Sequence, residues 1–236
     1  MKGDAALVTG GGKRIGAAIA LYLAGRGYDI ALHYNRSAKE AKALTKEIGG
    51  KGVRCRLFKA DFTDDLETRS LMPKVVKEFG KVNLLVNNAS YFRKGPLGEH
   101  FKEHIQVNLR APYVITADFG RLCKKGHVIN IVDAKITQDR TEYFSYVLSK
   151  KALADLTLMS AANLAPKIRV NAIAPGLILP PEGRNESYLD ELAAKTGLRR
   201  GDVSDVTWAV GYLLDNPGLT GKVILADETR RKAKPK

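Results

Sequence analysis

The sequence has little cysteine and no long apolar run. Cys55 and Cys123 are the only two thiols in 236 residues, they lie far apart, and neither stands in a CxxC pair or a Cys/His cluster. That excludes a disulfide framework and a zinc site, and no metal is expected. No hydrophobic stretch reaches the length that crosses a bilayer, and the first apolar segment starts almost at Met1, leaving no room for a signal peptide. The expectation is a soluble, cytoplasmic protein with no membrane partner. Internal repeats, low-complexity segments and linkers are missing too, so one domain is expected over residues 1–229, followed by a basic tail at 230–236. The net charge of +14 would draw the chain toward polyanions. Its basic residues, however, are spread along the chain without aromatic interleaving or zinc-finger spacing, and no nucleic-acid partner is expected.

What the sequence does contain is an alternation of short apolar runs with helix-period segments: "AALVTG", "RIGAAIALYLAGRG", "YDIALHY", "SAKEAKALTKEIGG". It continues through "VRCRLFKAD", a helix from about Asp65 to Phe79, "NLLVNN", a long helix around 99–122, "HVINIV", a further helix, "IRVNAIAPG" and a last strand near "KVILA". Parallel strands need crossovers, so the pattern predicts an α/β fold, a Rossmann-type doubly wound parallel sheet with helices on both faces. Ser37 with Glu40, and Asp64 with Glu67, have capping-box spacing where helices should begin. The Pro- and Gly-bearing segment 177–187 is long enough for a lid.

Ligands of such a sheet bind beyond the carboxyl ends of its strands. After the first strand comes "TGGGKRIG", where Gly10, Gly12 and Gly16 let backbone approach a pyrophosphate at the start of the next helix. The second strand ends in "LHYNRS" with no acid for the adenosine ribose. Arg36, with Lys13 and Arg14 of the glycine turn, instead supplies cations suited to a ribose 2′-phosphate, and Asn35 and Ser37 can add hydrogen bonds. The expected cofactor is NADPH.

In "TEYFSYVLSKKAL", two tyrosines and two lysines open a helix. Only Tyr146 and Lys150 stand at i and i+4, whereas Tyr143 has Val147 at that spacing. A half-buried ring beside a solvated ammonium would have the same spacing, so the pair alone does not establish chemistry.

The motifs together resemble the short-chain dehydrogenase/reductase family over nearly the whole chain: "TGGGKRIG", Asp61 after the third strand, "NNAS" after the fourth, Asn108, Tyr146-x-x-x-Lys150 and Pro175-Gly176. The resemblance implies that Tyr146 and Lys150 are the catalytic pair, with Lys150 also holding the nicotinamide ribose and Asn108 positioning a water on the proton path. It implies a cofactor site drawn from Ile15 in the glycine turn, Tyr34 after the second strand, Asp61 and Phe62 after the third, Asn88, Ala89 and Ser90 after the fourth, and Pro175 and Gly176 after the sixth. A lysine cation about 4 Å from the phenol, at an effective dielectric of about 20, would favour the phenolate by up to roughly 4 kcal/mol.

One position departs from the broad family. Where most members carry a serine that donates to a substrate carbonyl, this chain has Asp133. A carboxylate cannot donate there and would repel a developing alkoxide, but it would stabilise the cation formed when an imine is protonated. The arrangement, with "HYNRS" and "NNASYF", is similar to the pteridine reductases. That likeness implies reduction of a pterin or dihydropterin, a small-molecule substrate stacked on Phe92, with Arg14, Ser90, Asp133 and Tyr146 around it. The alternative is that Phe92 simply packs beneath its loop. Rival readings are a carbonyl reductase of the same family and a non-catalytic NADPH- or polyanion-binding protein. The family also implies a homotetramer, with apolar positions such as Leu153, Leu156 and Leu164 as its seam.

Overall fold

The structure, a computed structural model, describes residues 3–226 apart from 138, 140, 141, 182, 197 and 198. The predicted basic tail and Thr141 lie outside the described residues. Seven strands form one sheet, all parallel, in the order β3-β2-β1-β4-β5-β6-β7. They are β1 (Ala5–Val8), β2 (Asp29–Tyr34), β3 (Cys55–Lys59), β4 (Val82–Asn87), β5 (Gly126–Ile131), β6 (Ile168–Ala174) and β7 (Val223–Leu225). The helices are α1 (Arg14–Gly25), α2 (Ala38–Gly49), α3 (Asp65–Phe79), α4 (Phe101–Ile105), α5 (Ala111–Leu122), α6 (Phe144–Leu164), α7 (Ser187–Thr196) and α8 (Val203–Asp215).

The apolar runs of the strands follow from burial on both faces. In β1, Ala6 and Val8 join a cluster with Ile19, Leu23, Ile48 and Val210 from α1, α2 and α8. Ala5 and Leu7 point the other way, into a cluster with Leu71, Met72, Phe119 and Ala161 from α3, α5 and α6. The chain reverses its winding between β1 and β4, and the loops beyond the carboxyl ends of the strands converge there. Among the described residues, no helix is long and apolar enough to cross a membrane.

Four expectations need correction. The long helix at 99–122 is not one regular rod: α4 and α5 are joined by a π turn, Gln106–Arg110, centred on Asn108. Ser37 makes no side-chain cap bond to α2, because its hydroxyl lies against Gly12. Asp64 does cap α3, accepting from Glu67 N at 3.0 Å, but the Glu67 carboxylate turns to Asp61 N at 2.7 Å instead of closing the box. A reciprocal capping box stands instead at Asp202 and Asp205, opening α8. Finally, Leu153 is 1% exposed and packs on β6, so it cannot form a seam. The large apolar side chains that these two helices expose are instead Tyr113 of α5 and Leu148, Leu158 and Met159 of α6.

Candidate active site

The glycine turn lies tight against the end of β4. Gly10 has φ +61, and a Cβ there would lie 2.8 Å from Ala89 Cα. A Cβ on Gly16 would strike the Gly10 carbonyl and lie 2.5 Å from Asn88 Nδ2. Glycine is therefore demanded at Gly10 by backbone conformation and space, and at Gly16 by space. Lys13 at the N-cap of α1 makes no side-chain cap bond, so the helix start relies on other partners for its first amides. Asn88 Nδ2 donates to the carbonyls of Thr9 (2.9 Å) and Gly10 (3.1 Å). The Thr9 hydroxyl accepts from Asn88 N and Ala89 N at 2.9 and 3.1 Å. Thr9 escapes a sequence reading because its partners are backbone groups about a third of the chain away.

His33 is a second such residue. Buried under the glycine turn, it accepts from Gly10 N at Nδ1 (3.0 Å), and Nε2 faces the Ala60 carbonyl at 3.1 Å. Those partners select the neutral Nε2–H tautomer. Phe62, expected beside the cofactor, has its ring buried and stacked on His33 at 4.3 Å and 5°. Burial lowers the His33 pKa to about 4. The unfolded chain therefore binds this proton first as pH falls. The stabilisation is complete above about pH 6.5 and is lost progressively between 6.5 and 4, amounting to roughly 3 kcal/mol. Urea unfolding of wild type and His33→Asn across this range should show the smaller loss in the variant, and parallel curves would remove His33 as the cause.

Around the end of β2, Tyr34 packs on the core, Arg36 is exposed, and Asn35 and Arg36 both face Asp61. Partial burial raises the Asp61 pKa, but hydrogen bonds from Thr63 and Asn35 and the Arg36 charge outweigh it, leaving it below the usual value. Arg14 has a left-handed φ of 57, and its Nη2 donates to the Pro180 carbonyl at 2.6 Å. It thus ties the glycine turn to the 177–187 segment, whose Leu177 bridges Arg200. A non-glycine residue in this conformation costs about 1–3 kcal/mol and persists only where surrounding contacts determine it.

At the centre, the Tyr146 hydroxyl donates to Asp133 Oδ2 at 2.7 Å. Asp133 Oδ1 accepts from Lys135 N at 2.8 Å, and Ala134 N donates to the Pro175 carbonyl at 2.9 Å, fixing this loop to the end of β6 beside Gly176. Lys150 is buried, donates from Nζ to the Ile131 carbonyl at 2.8 Å, and lies 5.9 Å from the centre of the Tyr146 ring. The expected phenolate is not what this geometry favours. Burial first, and then the Asp133 charge and hydrogen bond, hold the Tyr146 pKa well above the usual phenol range. Burial also lowers the Lys150 pKa to about 8 against the opposing pull of Asp133, which weakens the cation counted on to ionise the phenol.

Asn108 sits in the π turn and uses its whole amide locally. Nδ2 donates to the Tyr91 carbonyl (2.9 Å) and Ser149 Oγ (3.0 Å), while Oδ1 accepts from Tyr91 N (2.7 Å) and Ser90 Oγ (3.3 Å). Its side chain therefore has no donor left for a water and acts as a bracket for the loop after β4. A π turn places one more residue in the ring than an α turn, and the bracketing residue lies at the middle of this one. Phe92, 37% exposed, stands edge-on to Tyr146 at 4.7 Å and 87°, and stacks on Tyr143 at 5.3 Å and 18°. Tyr143, left without a role by spacing, is thus the backing of Phe92. His104, also absent from the sequence expectations, lies under Tyr91 and Tyr146. Among the described residues, no group of three or more metal-ligating side chains occurs.

The chain is similar to known proteins over nearly its full length. FolM alternative dihydrofolate reductase 1 from Brucella suis, in complex with NADP, superposes with a TM-score of 0.90 at 34% identity, covering 100% of this chain and 98% of that one. A short chain dehydrogenase from Burkholderia cenocepacia in complex with NADP gives a TM-score of 0.88 at 30% identity, covering 96% and 97%. The 3-oxoacyl-[acyl-carrier-protein] reductase FabG of Staphylococcus epidermidis is 30% identical over 93% of this chain and 95% of its own length. Residues 4–190 match the family model "short chain dehydrogenase". With the parallel sheet, the glycine turn and the Tyr146–Lys150 pair, these matches place the chain in the short-chain dehydrogenase/reductase family of oxidoreductases.

Proposed function

We propose that this protein reduces a C=N bond of a pterin, dihydropterin or dihydrofolate with NADPH. The observation that carries this reading is the 2.7 Å hydrogen bond from Tyr146 to Asp133. The carboxylate occupies the position where a ketone reductase would offer its carbonyl a second donor, and it engages the one hydroxyl that remains. Nearby negative charge penalises an alkoxide and favours a protonated ring nitrogen. The 34% identity to a dihydrofolate reductase over the whole chain supports the same reading, while the 30% match to a 3-oxoacyl reductase supports carbonyl reduction as the alternative.

The residues present fit the cofactor. The glycine turn presents backbone at the start of α1, and Lys13, Arg14, Asn35, Arg36 and Ser37 suit the phosphates and the ribose. Lys150 and the Asn88–Ser90 segment suit the nicotinamide half. When bound, NADPH supplies the hydride. Tyr146 holds a proton at its hydroxyl and turns it from Asp133 to the substrate nitrogen. Asp133 then balances the positive charge gained there, and Lys150 limits the cost of the transient phenolate, which solvent reprotonates. Phe92, backed by Tyr143, offers the ring a stacking face.

NADPH oxidation followed with dihydrobiopterin, dihydrofolate and a panel of ketones tests the reading, and turnover confined to ketones would overturn it. Arg36→Asp is expected to remove the preference for NADPH over NADH. In wild type that preference is expected to be at least about tenfold, as one charge-assisted phosphate contact provides, and equal affinities would refute it. The same family reading carries a homotetramer, supported by the exposed apolar side chains Tyr113 of α5 and Leu148, Leu158 and Met159 of α6. An active monomer in light scattering would refute that assembly.

A further inference from the structure

We propose that His104, as its neutral Nδ1–H tautomer, is a positioning residue that sets the width of the slot between Phe92 and Tyr146. The proposal rests on the reading of Tyr146 and Phe92 given above. The loop after β4 is held at alternate residues. Asn108 holds both the N–H and the carbonyl of Tyr91. Gly95 donates to the Glu142 carbonyl at 3.0 Å and accepts from Phe144 N at 3.2 Å. Between them, Arg93 N donates to His104 Nε2 at 3.3 Å. This middle attachment is adjacent to Phe92, the residue whose ring meets Tyr146.

Both partners of His104 have a single role. Its Nδ1 faces the His100 carbonyl at 2.7 Å, which can only accept, and its Nε2 faces the Arg93 N–H, which can only donate. One tautomer satisfies both, and a protonated ring would turn an N–H against an N–H. The ring is 1% exposed and wedged edge-on between Tyr91 (4.9 Å, 71°) and Tyr146 (5.9 Å, 65°), so it also supports the phenol from below. The ionisable groups facing it are His100 at the N-cap of its helix and Glu103 within it, Tyr91 from the loop, and Tyr146 and Lys150 from α6. Burial and the Lys150 and His100 charges favour the neutral ring, against the His100 carbonyl and Glu103.

His104→Phe fills the space without an acceptor, and His104→Gln restores an acceptor close to the Nε2 position. In His104→Phe, KM for dihydrobiopterin or dihydrofolate should rise about tenfold with NADPH affinity unchanged, whereas His104→Gln should stay within about threefold of wild type. Wild-type KM should also rise toward acid pH as the ring protonates, and this limb should be missing from His104→Gln. Amide exchange of the folded protein supplies a measure independent of substrate: segment 91–95 should exchange faster in His104→Phe and at wild-type rate in His104→Gln. Unchanged exchange together with unchanged KM in His104→Phe would overturn the proposal. Tyr146→Phe, run alongside, separates the two layers. An inactive Tyr146→Phe beside a normal His104→Phe defeats only the positioning role, and a fully active Tyr146→Phe defeats the catalytic reading beneath it.

Discussion

Tyr146→Phe is expected to lower dihydropterin turnover by roughly 10²-fold or more while leaving NADPH affinity nearly unchanged. The substitution removes one oxygen and keeps the ring that meets Phe92 and His104, so the slot retains its shape. What is lost is the proton that the hydroxyl directs at Asp133 Oδ2 and, in the proposed reaction, at the substrate nitrogen. The Asp133 carboxylate would also lose a buried partner and take water in its place, and water is a poorly placed acid. Stopped-flow measurement of hydride transfer beside a fluorescence titration of NADPH separates the two effects. A variant that transfers hydride and proton at the wild-type rate would exclude Tyr146 from the chemistry.

The second large effect is expected from Asp133→Asn, which keeps the shape of the side chain and removes its charge. Turnover of dihydropterin should fall by about 10²-fold, since a single preorganised charge at the reacting atoms is worth this much in comparable sites. The same variant should lower the Tyr146 pKa, because the Asp133 charge and hydrogen bond are, after burial, the causes that raise it. The phenolate absorbance of Asp133→Asn, taken as a difference against the double variant with Tyr146→Phe, reads this one tyrosine. Asp133→Ser should in addition gain ketone reduction, as it restores a donor. If Asp133→Asn reduces dihydropterin at the wild-type rate, the imine reading loses its basis.

The parallel sheet, the helices on both its faces and the edge on which the site lies were legible because each rests on local signals: apolar runs, helix periods, and glycines at one strand-to-helix turn. The helix expected from about Asp65 to Phe79 is α3, which Asp64 caps and Gly80 with φ +71 ends. The interior of the site was less legible. Periodicity cannot register the π turn, and the water-positioning role expected of Asn108 gave no sign that its side-chain amide is fully engaged by Tyr91, Ser90 and Ser149. Spacing paired Tyr146 with Lys150 and the family resemblance brought in Asp133, but neither showed that Asp133 accepts the phenol hydrogen bond and holds its pKa up rather than down. His33, Thr9 and His104 bond mainly to backbone groups, which leave no mark in a pattern of side chains. Leu153 was apolar at the right period, yet two faces of α6 are apolar, and only packing tells which one meets the sheet.

The strand order also bears on how the chain is made. Leu7 and Val8 pair with Ala31 and Leu32 on one side and with Leu85 and Val86 on the other. During translation at about 5–20 residues per second, β1 can dock on β2 within seconds of emerging, but its second partner follows only after a further delay of about 3–10 seconds. Over that interval the most buried strand of the finished enzyme is an open edge, lined by Leu7 and Val8 and able to template a foreign strand. Ribosome-bound chains halted before β4 should therefore recruit holdase chaperones, and chains halted after β5 should release them.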